Sequence, residues 1–81
     1  MTDTDLRQKL IRIFRHQFDD GTLDETVSTM TCESWDSLGH IKLILAIEQE
    51  FGIEPVPAEI IAMYADFPAV ERFVADKLAS R

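Results

Sequence analysis

The chain has 81 residues, 46% of them hydrophobic and 28% charged, which suits one compact domain and excludes a two-domain enzyme or a low-hydrophobicity disordered tail. Fifteen acidic against eight basic residues leave a net charge of -7 and a pI near 4.6, which argues against nucleic acid as a partner. The single cysteine, Cys32, can form no internal disulfide and has no zinc-ligand spacing around it, so a reducing cytoplasm is the expected setting.

Met1-Thr2-Asp3-Thr4-Asp5 places acid before any apolar residue, unlike the basic start and apolar run of a signal peptide. The longest apolar stretch, Leu43 to Ile47, is far short of the roughly 20 residues that span a bilayer, so no membrane span is expected. Leu6, Leu10, Ile11, Ile13, Phe14 and Phe18 recur at spacings of three and four and predict an amphipathic helix over about residues 4 to 18. Thr4 or Asp3 would cap it, Arg7, Lys9, Arg12 and Arg15 would cover its outer face, and Asp19-Asp20-Gly21 would end it.

From Asp19 to Asp36 the periodicity fades into a long loop holding six of the fifteen acids, with Leu23, Val27 and Met30 as its anchors onto the core. A loop this long in so small a domain is expected to carry function or to pack as a unit, and its acids could steer basic partners. Leu38, Ile41, Leu43, Ile44, Leu45, Ile47 and Phe51 then predict a second, more apolar helix from Ser37 to Phe51, stopped by Gly52. Glu54-Pro55-Val56-Pro57 forces an extended connection. A short helix is expected over Ala58 to Tyr64, and a last one over about Pro68 to Leu78 after the cap-like Asp66-Phe67-Pro68. No strand alternation or repeat is evident. The expectation is an all-α chain, a single domain over residues 1–81: a small four-helix bundle with a long loop between helices one and two and a short third helix.

Asp36-Ser37-Leu38 stands out because it sets a reachable hydroxyl at the first turn of the most apolar helix. The unpaired N–H groups and positive dipole end there favour an anionic group such as a phosphodiester. Trp35-Asp36-Ser37-Leu38-Gly39-His40-Ile41, followed by Ile47-Glu48-Gln49-Glu50-Phe51-Gly52-Ile53 and the Val56-Pro57 step, resembles the acyl carrier protein family over nearly the whole chain. The Trp35 and Gly39-His40 flanks are similar to stand-alone carriers of specialised pathways.

The resemblance implies a protein with no catalytic residue of its own. Ser37 would accept a covalent 4′-phosphopantetheine arm from coenzyme A through a phosphopantetheinyl transferase. Acyl intermediates of fatty-acid, polyketide or related biosynthesis would then travel as thioesters between a loading ligase and downstream synthases or transferases. It also implies partner recognition through Asp36, Leu38, His40, Ile41, Lys42 and Leu45, with His40 a surface residue, and an acyl-chain wall of Leu43, Ile44 and Ile47, which are core residues on either reading. Gly39 and Lys42 depart from the acids that many fatty-acid carriers hold there. An aminoacyl or peptidyl carrier remains open as an alternative cargo class, and a monomer is the default state.

Other readings compete for the same residues. Ser37 could be only a helix-cap serine. A hydrolase pairing of Ser37 with His40 and Asp36 lacks an enclosed oxyanion site in so small a chain. A calcium loop through Asp20-Gly21 and Asp24 fails because His16, Phe18 and Val27 fall where oxygen ligands are needed. No metal site is expected from the two scattered histidines and Cys32, which reads as a small half-buried residue. Trp35 either docks partners or pins the loop to the core. The rival from another class is a non-covalent helical interaction module.

Overall fold

Leu6, Leu10, Phe14 and Phe18 follow one another four residues apart, so a helix stacks them into one seam, and all are buried. The structure, a computed structural model that describes residues 3–80, forms α1 (Asp3–Gln17), α2 (Ser37–Phe51), α3 (Pro57–Ala62) and α4 (Phe67–Ala79). The described residues make a mostly helical, all-α domain without strands; Ser28 and Asp66 form an isolated antiparallel bridge. Asp3 and Thr4 fall inside α1, so the cap expected of them lies outside the described residues, as does the Met1-Thr2 opening. No helix among the described residues is long and apolar enough to cross a membrane.

α1 ends one residue earlier than its apolar pattern, because Asp19 takes a left-handed conformation at φ 50°. The Asp20 N–H reaches the Arg15 carbonyl at 3.0 Å and the Asp19 N–H reaches that of His16 at 3.4 Å. This is a Schellman closure whose left-handed position, usually glycine, is held by aspartate, while Gly21 needs no such conformation. α2 ends as expected at Gly52, left-handed at φ 66°, whose N–H reaches Glu48 at 2.8 Å.

α3 starts at Pro57, a first-turn position that needs no N–H, and the Glu59 carboxylate accepts from the Val56 N–H at 2.9 Å. The same side chain pairs with Lys77 of α4 at 3.2 Å. The Val56 N–H, followed by Lys77, holds the Glu59 carboxyl below its usual range. α4 begins at Phe67 because Asp66 accepts from the Ala69 N–H at 2.9 Å, and Phe67, Val70 and Val74 turn inward. α1 packs on both α2 and α4, and Arg7 grips Glu71 of α4 through Nε at 2.8 Å and Nη2 at 2.9 Å.

The loop between α1 and α2 is ordered by two copies of one device. Asp20 accepts from the Thr22 hydroxyl at 2.6 Å and amide at 2.9 Å, and Asp24 does the same with Thr26 at 2.5 and 2.9 Å. The hydroxyl bonds, then the amide bonds, lower both carboxyl pKa values. Further on, the Thr29 N–H reaches the Ala65 carbonyl at 3.0 Å and the Phe67 N–H reaches that of Val27 at 2.9 Å, so the loop is strapped to the start of α4. Val27 is buried and Leu23 partly so, as expected of anchors. Met30, expected to be a third, is instead 95% exposed. A tight turn closed by Thr31 and Ser28, whose hydroxyl accepts from the Met30 N–H at 3.2 Å, places it at the tip.

Because Asp19 holds a left-handed backbone and its side chain is exposed, Asp19→Gly is expected to raise unfolding stability by about 0.5–1 kcal/mol, and Asp19→Val to lower it by about 1–2 kcal/mol. Urea unfolding checks both. A glycine variant less stable than the parent would contradict the left-handed closure.

Candidate functional site

The Asp36 backbone is extended at φ -98° and ψ -171°, and its carboxylate accepts from the Gly39 N–H at 2.8 Å, which starts α2 at Ser37. Ser37 is exposed, at the first helical position. Helix geometry leaves its N–H and that of Leu38 without intrahelical acceptors, and neither finds another among the described residues. The site therefore combines a solvent-facing hydroxyl with two amide donors and the positive end of a 15-residue helix.

On the outer face of α2, Leu38, Ile41 and Leu45 stay 63%, 50% and 52% exposed and run in a stripe away from Ser37. Lys42 lies beside them, also exposed. The inner face buries Leu43, Ile44 and Ile47 in the core cluster, which also holds residues of α1 and α4, and α2 packs on α1. Cys32, expected half-buried, is buried.

Gly39 is required by space rather than by charge. A Cβ built there would stand 2.3 Å from the Ser34 carbonyl oxygen, with Phe18 and Asp36 at 3.1 and 3.3 Å. The close approach of the Ser34 backbone thus bars any acidic side chain from this position.

His40 corrects the sequence expectation. Expected on the surface, it is 3% exposed and turned into the core. The Trp35 Nε1–H donates to His40 Nδ1 at 3.0 Å, and His40 Nε2 lies 2.7 Å from the Ile60 carbonyl. Indole nitrogen only donates, so Nδ1 must accept; the ring proton therefore sits on Nε2 and is donated to Ile60. Burial lowers the His40 pKa, opposed by the Ile60 carbonyl. Histidine in the unfolded chain takes up its proton near 6.5, so the folded state binds fewer protons just below that pH. The stability from neutral His40 is complete above about 6.5 and is lost as pH falls toward the lowered folded value.

With both ring nitrogens engaged elsewhere, His40 offers no base to Ser37, which removes the hydrolase arrangement. The imidazole instead stacks on Trp35, centroids 6.1 Å apart, and against Tyr64 at 4.9 Å. Trp35 meets Phe14 edge-on at 5.1 Å, and Phe14 meets Phe67 at 5.2 Å. Trp35 is thereby a pin of the loop to the core. This relay escaped the sequence: Trp35 and His40 share no helical period, and the third member is a main-chain carbonyl.

No family model matches the chain, and no similar protein was found among curated proteins or solved structures.

Gly39→Ala is expected to cost about 1–3 kcal/mol, since a backbone carbonyl cannot swing aside as a side chain can. Thermal or urea unfolding measures it. An unchanged midpoint would show that the turn before Ser37 has room to spare.

Proposed function

We propose that this protein is a phosphopantetheine-dependent acyl carrier, a small four-helix bundle with its attachment point at Ser37. The observation that carries this reading is an exposed serine at the first turn of α2 beside an exposed apolar stripe of Leu38, Ile41 and Leu45. The two open amides at Ser37 and Leu38 suit the phosphodiester of such an arm, and the Asp36 carboxylate leaves them free by taking the Gly39 N–H instead.

Loading is a phosphoryl-group transfer performed by a separate transferase. The Ser37 Oγ–phosphorus bond forms as the pyrophosphate bond of coenzyme A breaks, adenosine 3′,5′-bisphosphate leaves, and the serine proton passes to the transferase's base. The bound arm supplies a thiol that holds acyl groups as thioesters. Ser37 fixes the tether point, α2 presents the apolar stripe to each partner in turn, and the shared tether keeps cargo at high effective concentration. Exposed apolar groups on a chain of net charge -7 suit partners with an apolar pocket rimmed by basic residues. Partners of this kind are the transferase, a loading ligase and downstream synthases or transferases, met by a monomer in the cytoplasm.

Leu43, Ile44 and Ile47 are packed at 0%, 2% and 1% exposure, so a long acyl chain would have to part the core to shelter there. This favours short acyl or aminoacyl cargo, which needs no such room. Incubation with coenzyme A and a broad-specificity phosphopantetheinyl transferase is expected to add one arm to the protein, read by intact mass, and none to Ser37→Ala. No addition to the parent, with the transferase active on a control carrier, would overturn the carrier reading in favour of a non-covalent helical interaction module.

A further inference from the structure

The relay at His40 joins three parts of the chain: the loop before Ser37 through Trp35, α2 through His40 itself, and α3 through the Ile60 carbonyl. Its contacts hold for one protonation state only. A second proton on Nδ1 would point at the Trp35 N–H across 3.0 Å, two donors facing each other with no acceptor between them. Resting on the carrier reading, we propose that Trp35, His40 and the Ile60 carbonyl form a proton-operated latch on the Ser37 site: neutral imidazole fastens the Ser37 turn and α3 into one presented face, and a proton taken from solvent by Nδ1 opens it.

The neighbouring elements contain little to offset that proton. Tyr64, past the end of α3, places its ring against the imidazole. Glu59 of α3 is engaged by the Val56 N–H and Lys77, and Asp36 by the Gly39 N–H. Lys42 of α2 and Asp19 at the end of α1 are exposed, and Cys32 is buried within the loop. Among the described residues the two ring nitrogens bond only to Trp35 and Ile60. α3 is the most lightly buried of the four helices, with Ile60 partly buried against the core. It is six residues long, none of them fully buried, and beyond the relay it is held by the Ile60 side chain against the core, by Met63 and by the Glu59–Lys77 pair.

Backbone amide spectra of the whole protein, recorded from pH 8 downward, test the latch. The amides of residues 35–40 and 57–64 are expected to shift together with one midpoint below 6.5, while the helical content of α1 and α4 persists. His40→Gln, which offers an acceptor and a donor but does not titrate here, should abolish that transition. Trp35→Phe keeps an aromatic ring and removes the donor that faces a proton on Nδ1, so its midpoint should move up from the parent's. A merely structural role would weaken the fold in Trp35→Phe without moving its midpoint. The rate of Ser37 modification, taken relative to His40→Gln at each pH, should fall roughly tenfold one unit below the parent's midpoint. A transition that survives in His40→Gln, or a midpoint unmoved by Trp35→Phe, would overturn the latch. If no variant is modified at any pH, the carrier reading fails, and the amide spectra still decide on the latch.

Discussion

The hydrogen bond from the Trp35 indole to His40 is the constraint on which the rest of this small fold depends. It fixes the imidazole tautomer, and the tautomer in turn supplies the proton that holds the Ile60 carbonyl. Through ring contacts the same pair reaches Phe14 of α1, Phe67 of α4 and Tyr64 beyond α3. A buried histidine with both nitrogens satisfied stabilises, whereas the same ring with one unmatched nitrogen would be costly in a core this size. The loop that carries Ser37 to the surface thus ends on a fixed point, only two residues before the hydroxyl.

That fixed point shapes the candidate site. Trp35 draws the chain inward, the Ser34 carbonyl comes to rest against α2, and only glycine fits at residue 39. Asp36 then caps the helix and Ser37 emerges at its first turn, beside apolar side chains left uncovered on the outer face. Order in the preceding loop comes from local polar turns at Asp20 and Asp24 and from the strap to residues 65 and 67. The acids of that loop are therefore partly structural, although they remain on the surface.

Helix positions were legible because they depend on near-neighbour periodicity. The stop at Gly52 and the cap at Asp66 follow local rules, and α2 spans the residues its pattern predicts, although its cap is Asp36 and not Ser37. Where sequence reasoning failed, distant or main-chain groups decided the outcome. His40 has a polar side chain on a helix start and reads as exposed; its burial depends on an indole five residues earlier and a carbonyl twenty residues later. Met30 reads as a core anchor, yet the Ser28–Thr31 turn lifts it outward. The left-handed position after α1 fell to Asp19 rather than to the nearby Gly21 because the closure is set by where the seam ends, at Phe18. Gly39 shows the same limit: set against the resemblance it reads as a lost charge, whereas the structure shows a missing volume.

Which nitrogen of His40 carries the proton decides how the Ser37 turn is held, and long-range proton–nitrogen correlation spectra of the imidazole at pH 8 read this directly. The structure predicts the proton on Nε2, with a Trp35 indole N–H that exchanges with solvent only as the fold opens. A proton on Nδ1, or an indole N–H that exchanges like a surface group, would contradict it.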